Sequence, residues 1–92
     1  MTTLYLVAYD IANDRRRTKL HKALCGFGAW TQFSLFECFL DDKQLIAMRH
    51  RIMKLIDTDE DNVRIYAVCA GCMGRTETWG SERPAEDKVY LL

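Results

Sequence analysis

Asp10 closes the segment LYLVAYD, and Asp14, Arg15, Arg16, Arg17, Lys19 and Lys22 follow within twelve residues of it. A carboxylate at the end of an apolar strand offers a hard oxygen ligand to a cation such as Mg²⁺. That ion is often held by only one or two carboxylates, with water and phosphate completing its shell. So placed, it activates water and stabilises charge on a phosphodiester. One acid per chain makes a thin site, and a twofold axis passing near Asp10 would double it. The plainer alternative is that Asp10 ends the strand or pairs with an arginine, since structural ion pairs also occur at such positions.

The run RRRTKLHK, Arg15 to Lys22, suits a phosphate chain. Arginine grips phosphate bidentately and lysine acts as a point charge. The same residues equally suit a solvated helix face. CAGC, Cys69 to Cys72, has the spacing of half a zinc site or of a redox pair. Cys25 and Cys38 lie thirteen apart, so no second such pair exists, and ordinary thiols are the expectation. His21 and His50 fall on different helices with no nucleophile nearby in sequence and read as surface side chains. No Ser-His-Asp pattern or phosphate-binding glycine loop is present.

The elements that must position these residues follow from periodicity. Leu4 to Tyr9 is apolar on both alternations, which suits a central strand. Asn13 caps a helix in which Leu20, Ala23, Leu24 and Phe27 form one stripe, and Gly26 and Gly28 end it. AWTQFSLFECFL reads as strand that either bends or reverses near Gln32–Ser34, where no Gly or Asn marks a turn. Asp41 or Asp42 caps a second helix with Leu45, Met48, Ile52, Leu55 and Ile56 inward. The strand VRIYAVCA follows the acidic loop DTDEDN, with Val63, Ile65, Ala67 and Cys69 on one side. Residues 71–86 read as loop and KVYLL as a terminal strand. This order suits an α+β ferredoxin-like sandwich, β-α-β-β-α-β plus a C-terminal strand, with two helices on one sheet face. The other face would stay bare in a monomer, and an exposed apolar sheet face marks an interface.

Ninety-two residues make a single domain, residues 1–92, with little core to spare; dimerisation would enlarge it. No apolar run approaches the roughly 18 residues a membrane helix needs, and MTTLYLVAYD lacks the basic region of a signal peptide. A cytoplasmic protein with reduced thiols, and no membrane partner, is the expectation. Net charge is zero, but unevenly spread: between Arg15 and Lys54 nine lysines and arginines face three acids, and the rest holds four against ten. A neutral chain polarised in this way can present a basic face to nucleic acid.

Tyr9-Asp10-Ile11, the basic run Arg15 to Lys19 and Gln32-Phe33-Ser34-Leu35-Phe36-Glu37 come in order and at family spacing. With LIDTDEDNVRIYAV they resemble the Cas-two family of CRISPR-associated proteins over residues 3 to 70. The resemblance implies a symmetric homodimer with Asp10 from both chains facing across the twofold axis. It also implies an Mg²⁺-dependent endonuclease acting on single-stranded RNA or double-stranded DNA, with Asp10 as metal ligand and Asp10 and Tyr9 as catalytic residues. Arg17, Lys19 and Phe36 match positions tied to nuclease function, Arg16 adds a backbone contact, and Ser34 supports with Phe36; packing is the expected main role of Phe36. In spacer acquisition, part of antiviral defence, such dimers bridge copies of the Cas-one integrase along protospacer DNA, and cleavage is not needed there. The terminal strand joins the partner's sheet. Trp30 stands where members often carry a basic residue, and an indole there can stack on an unpaired base. Three readings therefore compete: endonuclease, non-catalytic adaptor, and toxin-like ribonuclease on the same fold.

Overall fold

In the computed structural model, which describes residues 1–86, the apolar first strand takes the central place its composition asks for. The elements are β1 (Thr3–Asp10), α1 (Asp14–Leu24), β2 (Ala29–Gln32), β3 (Leu35–Leu40), α2 (Asp42–Leu55), β4 (Asn62–Val68) and α3 (Ala70–Gly74). The four strands form one sheet in the order β2-β3-β1-β4, and every neighbouring pair is antiparallel. β1 is therefore bonded on both edges, and its even and odd residues must both find cover.

On one face that cover is α1 and α2. Val7, Tyr9 and Ile11 pack with Phe36, Cys38 and Leu40 of the β3 strand against Leu20, Leu24, Leu45, Met48 and Ile52 of the helices. The helix starts are those the caps mark. Asn13 Oδ1 accepts the Arg16 N–H at 2.9 Å. Asp41 and Gln44 form a reciprocal capping box, each side chain bonded to the other's backbone N–H at 2.8 Å. Gly28 leads out of α1 into the sheet. A Cβ there would lie 2.4 Å from the Glu37 carbonyl oxygen, so only glycine lets these backbones approach.

Of the two courses open to residues 29–40, the chain takes the reversal, and Phe33 takes the turn with φ of 45°; two later stretches differ from the sequence expectation. Tertiary bonds hold that turn: the Trp30 indole N–H donates to the Phe33 carbonyl at 2.6 Å, and the Tyr9 N–H donates to the Ser34 carbonyl at 3.0 Å. The last strand stops at Val68 rather than running through Ala70, because Cys69 becomes the N-cap of α3, its sulfur accepting the Cys72 N–H at 3.4 Å. Ala67 and Cys69 are thus exposed, while Val63 and Ile65 pack on the core. Residues 70–74 are a short helix, not loop. KVYLL, residues 88–92, lies outside the described residues.

The second sheet face is only partly bare. Leu4 and Phe39 are buried there, in a recess bordered by Met1, Met73 and Glu86. Leu6, Ala8 and Leu35 are half-buried, and Tyr66 is 48% exposed. No helix among the described residues is long and apolar enough to cross a membrane.

Candidate nucleic-acid interface and metal site

Alternation along β1 places Asp10 on the helix-free face with Leu6 and Ala8, whereas Tyr9 enters the helix-covered core. The exposed Asp10 carboxylate makes no hydrogen bond or ion pair among the described residues. Directly across the ladder from it stands Asn62 of β4, with Arg64 opposite Ala8 and Tyr66 opposite Leu6. Asp10 and Asn62 are hard oxygen donors of the kind Mg²⁺ takes. Among the described residues no three His, Cys, Asp or Glu side chains gather closely enough to hold a metal alone. Two oxygen donors match the one or two protein ligands with which Mg²⁺ is often held, water and phosphate completing its shell.

The three consecutive arginines do three different things. Arg16 is an internal clamp: its Nε donates to Asp61 Oδ2 at 2.8 Å and its Nη2 to Asp61 Oδ1 at 3.2 Å and Glu60 Oε2 at 2.9 Å. Asp61, whose side chain is 1% exposed, also accepts the Asp57 N–H at 2.8 Å. This clamp ties the start of α1 to the residue before Asn62 and so fixes the strand end opposite Asp10. Arg16 is therefore committed to the fold rather than free for phosphate. Arg17 braces the turn after β1, donating to Ile11 and Ala12 carbonyls at 2.9 and 3.3 Å and pairing with Asp14. The Arg15 side chain is exposed and makes no hydrogen bond or ion pair with the described residues. With Lys19 and Lys22 it falls at i, i+4 and i+7 on one helix face. Lys19 and Lys22 line a depression of about 350 Å³ with Ala23, Arg51 and Leu55, so α2 adds a fourth positive group.

The Arg16 hydrogen bonds and the Asp57 N–H hold the Asp61 carboxyl below the usual carboxylate range. A depressed folded-state pKa contributes stability that is complete above the unfolded value, about 3.9, and is lost as pH falls through the folded value. Asp61→Asn is therefore expected to be less stable than the parent at neutral pH, with the gap closing below pH ~4. Urea denaturation across that window measures it; a gap independent of pH would contradict the assignment.

Tyr9 and Asp10, paired as catalytic by the family resemblance, lie on opposite faces of the sheet. The Tyr9 hydroxyl meets His21 Nδ1 at 3.1 Å, and burial raises its pKa while a Ser34 hydrogen bond works the other way. His21 is half-buried, not a surface side chain as its sequence surroundings suggest; it packs edge-on against Phe36 at 5.1 Å and Trp30 at 6.1 Å. Phe36 is fully buried. Its main role is packing. Arg17 and His21 stand one helical turn apart, the one sequence signal that could have joined His21 to this cluster. Asn62 was beyond reach, since its place beside Asp10 depends on strand register. Of the four free thiols, Cys38 is buried with its pKa pushed up to about 12 by desolvation. Cys69 and Cys72 are exposed, and the Cys72 backbone and thiol lower the Cys69 pKa. His50 is exposed.

A four-stranded antiparallel sheet with two helices on one face, strand order β2-β3-β1-β4 and an acid at the end of the central strand defines a ferredoxin-like α+β domain. The family described as CRISPR associated protein Cas2 matches residues 1–76. The chain belongs to that family. CRISPR-associated endoribonuclease Cas2 1 of Synechocystis sp. is 45% identical over 93 residues, covering 97% of this chain and 99% of its own. CRISPR-associated endonuclease Cas2 2 of Thermus thermophilus is 44% identical over 77 residues, covering 84% and 81%. The crystal structure of Streptococcus pyogenes Cas2 at pH 6.5 superposes with a TM-score of 0.73 at 28% identity, covering 84% of this chain and 99% of that one.

Proposed function

We propose that this protein acts as a homodimeric, Mg²⁺-dependent endonuclease of the CRISPR system, hydrolysing phosphodiester bonds at a centre shared between two chains. The observation that carries the reading is the Asp10 carboxylate, without a partner among the described residues, at the end of the central strand and on the same partly apolar face as Leu6, Ala8 and Tyr66. Joining two such faces about a dyad covers the apolar residues and brings the two copies of Asp10 together. Asp10 would hold the ion, with Asn62 as a second oxygen donor. When bound, Mg²⁺ supplies Lewis acidity toward water and phosphate oxygens. Arg15, Lys19, Lys22 and Arg51 bind the flanking phosphates and orient the chain. The two relatives above carry different substrate names, endoribonuclease and endonuclease, so both single-stranded RNA and duplex DNA belong in the test. Purified protein is incubated with each, in Mg²⁺ and in chelator. Products that need Mg²⁺ are expected; cleavage indifferent to chelator would overturn the reading.

The basic face of Arg15, Lys19 and Lys22, without ion pairs among the described residues, supports a second reading, an adaptor that holds protospacer duplex and bridges the Cas-one integrase. It requires duplex binding that weakens steeply with salt, because each neutralised phosphate releases counterion. Replacing Arg15, Lys19 and Lys22 together by alanine is expected to lower the log–log salt slope by about 3 per bound protomer, roughly one for each phosphate no longer neutralised. An unchanged slope in a filter-binding titration would remove this face from the DNA interface.

A further inference from the structure

The β2–β3 hairpin displays two aromatic rings that neither the core nor the Asp10 face uses. Phe33 is 89% exposed and Trp30 54% exposed. Phe33 also holds φ of 45°, a left-handed conformation disfavoured for a bulky side chain and of the kind retained at functional sites. Its ring contributes almost nothing to the core in exchange. Trp30 is exposed yet fixed in place, its N–H bonded to the Phe33 carbonyl and its ring edge-on to His21. Between this hairpin and α1 lies a depression of about 370 Å³ lined by Tyr9, Arg17, Thr18, His21, Phe33 and Ser34. Three of these side chains are rings; a guanidinium and two hydroxyls stand among them.

Flat apolar rings beside a cation suit a flat base joined to a phosphate. A base in duplex keeps its faces stacked on its neighbours, so the complementary occupant is an unpaired one. We propose that the hairpin groove binds an unpaired nucleotide of single-stranded nucleic acid, the base stacking on Phe33 beside the Tyr9 and His21 rings and the phosphate meeting Arg17 and Thr18, with Trp30, edge-on to His21, reporting on it from behind. This rests on the nucleic-acid reading above and adds to it a preference for unpaired segments, read on the sheet face opposite Asp10.

Phe33→Gly separates binding from folding. Glycine adopts positive φ without steric cost, so the melting temperature is expected to hold or rise as the ring is removed. In a Trp79→Phe background Trp30 is the sole indole, and its emission is titrated with oligo(dT), with an abasic strand of equal length and with blunt duplex. Quenching by oligo(dT) but not by the abasic strand is expected. Phe33→Gly should lower oligo(dT) affinity roughly ten-fold and leave duplex affinity within about two-fold. Equal quenching by the abasic strand, or equal loss on duplex, would overturn the stacking site while leaving nucleic-acid binding intact. Weaker self-association of Phe33→Gly would show the hairpin to be a subunit contact and overturn it too. If the full chain bound none of the three probes, the nucleic-acid reading itself would fall.

Discussion

Asp10→Asn is expected to abolish Mg²⁺-dependent cleavage while leaving the protein folded. The carboxylate has no partner among the described residues to lose, and asparagine keeps its size, so thermal stability should match the parent. What disappears is charge. A metal site worth several kcal/mol of transition-state stabilisation corresponds to a rate loss on the order of 10³-fold or more. Two negative charges facing each other across a dyad also repel, and a shared cation relieves that repulsion. Mg²⁺ should therefore tighten self-association of the parent, because a ligand that binds only the paired state stabilises it. Asp10→Asn should self-associate at least as well without Mg²⁺ and gain nothing on its addition. Sedimentation with and without the ion reads this independently of any nuclease contaminant. Undiminished cleavage by highly purified Asp10→Asn would remove Asp10 from the chemistry.

How much of the fold and of this candidate site is legible in the sequence follows from where the information lies. β1 is apolar on both alternations, and only a strand bonded on both edges suits that pattern. Asn13 and Asp41 mark helix starts through local hydrogen bonds within three residues of themselves, and local rules suffice there. What stays hidden depends on distant partners. Arg16 is indistinguishable from Arg15 and Arg17 along the chain; its partner Asp61 stands 45 residues away. Asn62 meets Asp10 only through strand register. His21 reaches Tyr9 only once α1 is seated on the sheet. The reversal at Phe33 breaks the local rule that glycine or asparagine takes positive φ, and the bonds from Trp30 and Tyr9 that hold it come from the folded structure. Cys69 ends β4 because its sulfur caps the next turn, a use of cysteine that pattern alone does not suggest.

In the proposed reading the cleavage centre and its metal both depend on the pairing of sheet faces, and Leu6→Arg tests that pairing with the larger structural effect. Leu6 lies mid-strand on the helix-free face, opposite Glu37 on one side and Tyr66 on the other. It takes no part in the helix-side core, so the protomer should keep its secondary structure, with Glu37 beside the new guanidinium. Between two copies the substitution acts twice. A pair of cations would be driven into an apolar contact, and like-charge juxtaposition of that kind costs several kcal/mol, or about two to three orders of magnitude in dimer affinity. The parent is expected to run as a dimer and Leu6→Arg, at the same concentration, as a folded monomer. Cleavage and Mg²⁺-dependent tightening should vanish together, although Asp10 is untouched. Should Leu6→Arg remain dimeric, the two copies of Asp10 meet in some other way or not at all, and the metal must be sought within one chain, where the described residues supply only Asp10 and Asn62.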